Sequence, residues 1–349
     1  MSDAPLALSI LDLVPVRTGQ TSAQAITASL GLADAADRLG YRRYWFAEHH
    51  NMPAVASTTP PVLVAAAAAR TSRIRLGSGG VMLPNHSPLV VAEQFAALEA
   101  IAPGRIDLGI GRAPGSDPVI TQLLRQSGTT SDVERFPDNI RDILALSSPD
   151  GASLRFTSGQ EYAVHATPAA TASPELWLLG SSDYSAQLAA SMGLPYVFAN
   201  HFSGDGLERS LSLYRSQFRP AAEGDVPRTF LTANVVVGDT DADADALALP
   251  QLRMMARLRG GRPLTALETV EQAQAAEASD ALAAPLASWA AERWFIGTAD
   301  AVTERLRAVA SRWEVDEVMI SPVAAAHEAD PMDAAPARLR TLERLAAAA

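Results

Sequence analysis

The run EHH at residues 48–50 places a carboxylate and two imidazoles at the end of a strand-like segment, within YWFAEHHNMPAVASTTPP. These side chains could bind a metal ion or move protons near neutral pH. Adjacent residues of an extended chain point to opposite sides, so His49 and His50 are not expected to ligate one ion together. No HExxH or comparable spacing accompanies them. The pattern favours an acid–base site over a metal site, and a structural hydrogen-bonding role for one histidine stays an alternative.

Two further strand-like runs end in small residues. In LGSGGVMLPNH, the residues Ser78, Gly79 and Gly80 stand at the end of a predicted strand. Missing side chains at that place let a flat ligand approach the backbone, although a plain tight turn is the alternative. In GIGRAPG, Gly111 ends a strand and Arg112 follows it. A guanidinium at that position suits a phosphate, and a surface ion pair is the alternative.

Hydroxyl groups follow the strand-like run ELWLLG. Gly180 ends this run, Ser181 and Ser182 come next, and a helix is predicted to begin near Asp183. Hydroxyls and free N–H groups at a helix start attract anions. Simple N-capping by one serine is the alternative, and Asp183 would repel a phosphate unless it turns away. Together with Arg112, this pattern indicates a flat apolar platform beside a phosphate site, as a mononucleotide with a large ring such as a flavin requires.

Composition excludes several classes of protein. The chain of 349 residues contains no cysteine and no lysine. Disulfides, thiolate chemistry, Cys-bound metals, Schiff-base lysines and the P-loop lysine are therefore excluded. A net charge of −11 with dispersed arginines argues against nucleic acid as a partner. No apolar stretch approaches the ~20 residues of a membrane span, and no signal peptide is visible at the N-terminus, so we expect a cytoplasmic protein.

Eight β-branched or Leu-rich runs alternate with Ala-rich amphipathic stretches. Strands are predicted at 6–13, 42–47, 73–79, 105–111, 175–180, 195–199, 228–238 and 315–321. Helices are predicted at 21–39, 59–70, 88–101, 132–147, 183–192, 203–219, 298–311 and 334–347. This alternation predicts a (β/α)8 TIM barrel, an α/β fold that forms a single domain over residues 1–349. Chemistry in such barrels lies at the C-terminal ends of the strands, which adds Asp12 and His201 to the candidates.

Two segments interrupt the alternation. Residues 149–174, after the fourth strand, predict a hairpin excursion. Residues 239–296, after the seventh strand, are too long for one connection and predict a helical insertion or lid. Gly260 and Gly261 would serve as its hinge. An exposed helical insert with no gating role is the alternative.

Five segments carry a family resemblance: LSILDLVP, GYRRYWFAEHHN, ARTSRIRLGSGGVMLPNHSPLVVAEQFAALEAIAPGRIDLGIGRAPG, LWLLGSSDYSAQLAASMGLPYVFANHF and RWFIGTADAVTERL. In combination they resemble the bacterial luciferase-like, flavin-dependent monooxygenase family over most of the chain. The resemblance implies a (β/α)8 barrel that binds reduced FMN supplied by a separate reductase and then activates oxygen.

The resemblance also implies roles for individual residues. His49 matches the acid–base histidine of the family, and Glu48 matches a carboxylate close to the flavin. The other matches are flavin-binding positions: Ser78 and Gly79 under the ring, Gly111 beside it, Arg112 at the phosphate, Leu179 and Gly180 along the ring wall, and Ser181, Ser182 and Ser185 around the phosphate. The family often has a non-proline cis peptide at the pair matched by Ser78 and Gly79. Luciferase itself has a cysteine where Gly111 stands and a lysine-bearing lid, so light production is not expected here.

These observations predict an FMN-dependent monooxygenase that uses reduced FMN and O2 on a small organic substrate, which the sequence does not name. Expected partners are a transiently bound flavin reductase and a second copy of the chain in a homodimer. Three alternatives stay open: an F420-dependent oxidoreductase that transfers hydride, a flavin-binding protein without turnover, and a metal-dependent hydrolase built on Glu48, His49 and His201. We expect no metal site.

Overall fold

A computed structural model describes residues 6–113, 115–125, 133–148, 150–169, 172–201, 206–277 and 293–348. Its strands are β1 (Ala7–Asp12), β2 (Arg43–Phe46), β3 (Arg75–Met82), β4 (Ile106–Gly111), β5 (Ala152–Arg155), β6 (Glu161–Val164), β7 (Glu175–Gly180), β8 (Tyr196–Phe198), β9 (Thr229–Val237), β10 (Phe295–Gly297) and β11 (Glu317–Pro322). Its helices are α1 (Ser22–Leu39), α2 (Pro60–Ala68), α3 (Pro88–Ile101), α4 (Pro118–Arg125), α5 (Phe136–Leu146), α6 (Asp183–Met192), α7 (Leu207–Gln217), α8 (Asp241–Arg259), α9 (Val270–Glu277), α10 (Ala299–Arg312) and α11 (Pro336–Ala348).

Eight parallel strands close into a barrel, and helices lie between consecutive strands. The ring runs β1, β2, β3, β4, β7, β8, β9, β11, and pairing of β11 with β1 closes it. All eight predicted strands lie in this ring, so the predicted (β/α)8 fold is confirmed. The ninth strand of the sheet, β10, pairs with the C-terminal end of β9, where Phe295 lies opposite Val235.

Local signals fix the helix ends. Helix α1 begins with a capping box in which Thr21 and Gln24 satisfy each other's backbone N–H groups. It ends at Gly40, which has a φ of 84°, a left-handed conformation that a side chain would strain. Gly193 ends α6 in the same way, with a φ of 67°. Each glycine directly follows a helix predicted from the sequence, at 21–39 and at 183–192. The predicted helix starts at 132 and 203 lie outside the described residues.

The third strand is longer than predicted. The sequence indicated an end at residue 79, with small residues following in a loop, but β3 continues to Met82. Ser78 pairs with Leu108 of β4, and after a bulge Val81 pairs with Ile110. The prediction was wrong because glycines normally weaken a strand, whereas here they belong to a bulge that re-aims the strand end.

Aromatic rings fill the inside of the barrel. Trp45, Trp177 and Phe230 are each at most 3% exposed, and their ring centroids lie between 4.8 and 6.0 Å apart. Such edge-on and tilted arrangements are the ones that aromatic pairs prefer. A larger apolar core separates the barrel from the surrounding helices.

An arginine closes the N-terminal end of the barrel. Arg43, the first residue of β2, is buried and donates hydrogen bonds to Glu317 at 2.6 Å and to Asp107 at 2.9 Å. Its guanidinium carbon also lies 4.8 Å from the ring centroid of Trp177. The carboxylates and the aromatic face compensate for the loss of hydration of a buried cation.

Two excursions leave the barrel. Strands β5 and β6 form an antiparallel hairpin between β4 and β7. Helices α8 and α9 follow β9, and residues 278–292 of the predicted insertion lie outside the described residues. The segment between these helices is attached to the loop after β1, because Leu267 N donates to Val16 O at 2.8 Å and Thr18 N donates to Leu267 O at 2.7 Å. None of the helices described is both long and apolar enough to cross a membrane.

Candidate active site

Glu48 is the centre of a hydrogen-bonded cluster after β2. Its side chain is 1% exposed. One carboxylate oxygen accepts hydrogen bonds from Nε2 of His50 at 2.9 Å and Nε2 of His86 at 2.8 Å, and the other accepts from Met82 N at 3.0 Å. The carboxylate therefore ties the end of β2 to the end of β3 and to the turn that carries His86.

The same contacts set the charge of Glu48. Burial alone would raise the pKa of Glu48. The hydrogen bonds from His50, His86 and Met82 N outweigh that effect and lower the pKa to about 2. The side chain is consequently a fixed negative charge at neutral pH.

The small residues of β3 fit tightly against the barrel. Ser78 donates a hydrogen bond to Gly109 O at 2.9 Å. A side chain at Gly79 would start 2.5 Å from Leu11, and one at Gly80 would start 2.8 Å from Gly109 O. Absent side chains at these positions therefore make room for neighbouring protein atoms. The cis peptide lies between Gly79 and Gly80, one bond later than the position implied by the resemblance.

Gly111 and Arg112 stand next to the first turn of α6. Gly111 pairs with Leu179 of β7, so the ends of β4 and β7 are neighbours. The exposed Arg112 places its guanidinium carbon 4.1 Å from the ring centroid of Tyr184, a residue of that first turn. The guanidinium is thus held beside the N-terminus of a helix, where anions are favoured.

The serines at the start of α6 leave its first turn uncapped. Ser182 is the N-cap residue, yet no side chain of the described residues caps the helix there. The hydroxyl of Ser182 lies 3.4 Å from that of Ser185, which donates to Ser182 O at 2.9 Å. Ser181 is exposed. Gly180 is needed beneath them, because a side chain there would start 2.1 Å from Ser185 Oγ.

Asp183, the first residue of this turn, pairs with an arginine of α7. Its carboxylate accepts a hydrogen bond from Nε of Arg209 at 3.0 Å and forms an ion pair with the same guanidinium. The sequence left open whether Asp183 would repel an anion at the start of α6. Because the arginine offsets the charge of Asp183, the N-terminus of α6 still favours an anion.

His49 lies on a different side of the strand end from His50 and lines a separate cavity. Its Nδ1 is buried and has no hydrogen-bond partner among the described residues. Burial lowers the pKa of His49, although the negative charge of Glu48 acts in the opposite direction. An unpaired buried nitrogen is uncommon and calls for an explanation such as a bound ligand.

His201 lines the same cavity as His49. Its backbone N–H and its Nδ1 both contact the hydroxyl of Thr232, at 3.2 and 2.7 Å. Burial, assisted by the proximity of His49, lowers the pKa of His201 to about 4. Both imidazoles are therefore neutral at physiological pH.

Asp12 is occupied by structural contacts. Its carboxylate accepts hydrogen bonds from Arg338 Nη2 at 2.6 Å, from Val14 N at 2.8 Å and from the hydroxyl of Tyr44. Burial would raise the pKa of Asp12, but the charge of Arg338 and these hydrogen bonds lower it. Its position at a strand end made it a candidate for chemistry, and the structure makes it one half of a buried ion pair.

The structure places most of the predicted site residues in three groups, and Ser78 and Gly79 lie inside β3. Around Glu48 lie His50 and His86. Around the start of α6 lie Gly111, Arg112, Leu179, Gly180, Ser181, Ser182 and Ser185. His49 faces the cavity that it shares with His201. Within the described part of the chain, no three His, Asp or Glu side chains are placed to hold a metal ion.

Comparison with known proteins identifies relatives of the whole chain. The sequence model of a family described as luciferase-like monooxygenase matches residues 7–316. A luciferase-like monooxygenase of Escherichia coli (strain K12) is 38% identical over 333 residues, covering 94% of this chain and 95% of its own. The crystal structure of apo-MsnO8 has a TM-score of 0.84 at 33% identity and covers 99% of this chain and 98% of its own.

More distant structures share the fold. The oxygenating constituent of 3,6-diketocamphane monooxygenase from Pseudomonas putida, a type II Baeyer–Villiger monooxygenase in complex with FMN, has a TM-score of 0.71 at 20% identity. It covers 98% of this chain and 97% of its own. An F420-dependent secondary alcohol dehydrogenase has a TM-score of 0.65 at 14% identity and covers 98% of this chain and 99% of its own.

Proposed function

Because the chain belongs to the luciferase-like monooxygenase family, we propose that it is a flavin-dependent monooxygenase that binds reduced FMN and acts on a small organic substrate. The FMN complex of a monooxygenase with the same fold supports this choice of cofactor. F420-dependent enzymes have the same fold, so the choice of cofactor needs a test. We place that test at the phosphate end of the cofactor.

The observation that carries the proposal is the uncapped start of α6. Ser182 occupies the N-cap position without capping the helix, and Arg112 is stacked on Tyr184 in the same turn. Asp183 is neutralised by Arg209. A phosphate monoester fits this donor set, because its oxygens accept hydrogen bonds from hydroxyl, guanidinium and backbone N–H groups at once.

The remaining groups suit the chemistry of the cofactor. When bound, reduced FMN supplies the electrons that activate oxygen for transfer to a substrate. The permanent charge of Glu48 holds His50, His86 and the end of β3 in one arrangement. The imidazole of His49 lines the cavity, and the ring would accept or return a proton at a bound substrate. The apolar walls around His49 would limit the water that competes for that proton.

The test separates recognition of the phosphate from recognition of the ring. Dissociation constants of FMN and riboflavin, oxidised and reduced, are measured by fluorescence quenching for the wild type, Arg112→Gln and Ser182→Ala. A charge-assisted hydrogen bond is worth about 1.5–3 kcal/mol when buried, so at this exposed site we expect Arg112→Gln to weaken FMN about 5- to 10-fold. Ser182→Ala should weaken FMN about 2- to 10-fold. Riboflavin affinity should not change in either variant.

The matched control is Arg141→Gln, which removes an exposed arginine of α5 that pairs with Asp138. It should leave both affinities unchanged. Equal losses for FMN and riboflavin in Arg112→Gln would show that the arginine does not bind phosphate. Tight binding of F420 without oxygen uptake would replace the proposed monooxygenase with a hydride-transfer enzyme. Delivery of reduced FMN by a separate reductase and assembly as a homodimer stay predictions.

A further inference from the structure

The cavity that His49 and His201 share lies outside the proposed phosphate site. It opens between the ends of the barrel strands and helix α8, away from the phosphate-binding turn of α6. We propose that His201 determines substrate specificity by accepting a hydrogen bond, and that the substrate is an uncharged, largely apolar molecule that carries an O–H or N–H donor. Because this names the substrate of the proposed monooxygenase, it rests on that function.

The hydrogen bonds around Thr232 fix which nitrogen of His201 carries the proton. The Thr232 hydroxyl donates to Phe198 O at 3.2 Å and accepts from the backbone N–H of His201. If Nδ1 of His201 is protonated, it donates to the second lone pair of the hydroxyl at 2.7 Å, and every contact is a hydrogen bond at once. If Nδ1 were unprotonated, the hydroxyl would have to give up Phe198 O. The protonated Nδ1 is therefore favoured.

This assignment leaves Nε2 of His201 as an acceptor. None of the hydrogen bonds within the described part of the chain uses Nε2. Asn234 holds the residue from the other side, because its amide donates to His201 O at 3.0 Å. A ring fixed at both its backbone and its Nδ1 presents Nε2 in one direction, which is what selective recognition of a donor requires.

The walls of the cavity indicate the rest of the substrate. Most of them are apolar side chains, among them Leu13, Met52, Met254, Met255, Leu258 and Leu264. The two charged groups that reach the cavity, Asp12 and Arg338, are paired with each other. With no unpaired charge on its described walls, the cavity offers nothing to compensate for the lost hydration of a charged substrate. Methionines adapt to the shape of an apolar ligand.

Isomeric probes test the need for a donor. The full chain without flavin is titrated by calorimetry with 1-octanol and with its isomer heptyl methyl ether, and with the corresponding C6 and C10 pairs. One hydrogen bond at a neutral acceptor predicts about 5-fold tighter binding of the alcohol. His201→Phe should bring alcohol and ether to equal affinity. Thr232→Val leaves the imidazole in place but removes the hydroxyl that holds the proton on Nδ1, so this variant should reduce the preference.

The controls separate this inference from the proposed function. His165→Gln changes an exposed histidine of the hairpin segment and should keep the preference of the wild type. Equal binding of alcohol and ether by the wild type, an unchanged preference in both folded variants, or no saturable binding of any alcohol would overturn the inference. FMN titration is run on the same variants. Normal FMN binding without alcohol preference refutes only this inference, whereas alcohol preference without FMN binding refutes the proposed cofactor.

Discussion

The cluster around Glu48 allows a quantitative prediction for Glu48→Gln. The amide has nearly the shape of the carboxylate but carries no charge. Three N–H groups, from His50, His86 and Met82, point at the native carboxylate. An amide has only one oxygen to offer them, and its NH2 group must face at least one of these donors.

The pKa of Glu48 sets the size of the effect. A folded-state pKa of about 2, against an ordinary value of 4.5, favours the ionised folded protein by about 3 kcal/mol above pH 4.5. This contribution is lost as the pH falls towards the folded-state pKa, and about 1.5 kcal/mol of it would be left at pH 3. Because the carboxylate is buried, solvent screening does not reduce these figures much.

Urea unfolding, followed by tryptophan fluorescence at pH 7 and at pH 3, measures both numbers. We expect the free energy of unfolding of Glu48→Gln to be about 3 kcal/mol below that of the wild type at pH 7, with the gap about halved at pH 3. The control Glu161→Gln removes an exposed carboxylate of β6 and should change little at either pH. A gap that is the same at both pH values, or below about 1 kcal/mol at pH 7, would refute the reasoning.

Three other perturbations have expected outcomes. Arg43→Met removes a buried cationic partner of Asp107 and Glu317, which keep ion pairs with Arg75 and Arg42, and should cost about 3 kcal/mol, seen as a lower thermal midpoint; an unchanged midpoint would contradict the described ion pairs. Arg209→Gln frees the carboxylate of Asp183 beside the phosphate site, so FMN affinity should fall several-fold while riboflavin affinity stays constant. Because burial lowers the pKa of His49, oxygen uptake with reduced FMN should lose rate on the acid side only below pH 6.5, the ordinary value; a loss beginning above pH 6.5 would argue against a neutral His49.

Sequence patterns predicted the barrel because its elements are encoded locally. Continuous apolar runs mark strands that are buried on both faces, and Gly40 and Gly193 mark helix ends by their left-handed conformation. The order of the strands then follows from the regular alternation with helices. The extension of β3 escaped prediction because a bulge in the middle of a strand and the start of a loop have the same glycine-rich pattern.

The contacts that define the site were less predictable because they join distant parts of the chain. His86 binds Glu48 across 38 residues of sequence, and Arg209 neutralises Asp183 across 26. Neither spacing follows from a helix or strand period. His86 could have been suspected only from its place in the turn after β3. The ring of Tyr184 under Arg112 likewise depends on how α6 docks against the end of β4.

Arg43 closes the N-terminal end of the barrel, and the opposite end, at the C-termini of the strands, carries the candidate site. Arg43 and the tryptophans above it are buried and fill the space between the strands at that end. The cofactor and the substrate of the proposed monooxygenase would therefore share the rim around the strand ends. When two molecules bind through one opening, an ordered cycle is favoured, in which the molecule that binds deepest enters first and leaves last.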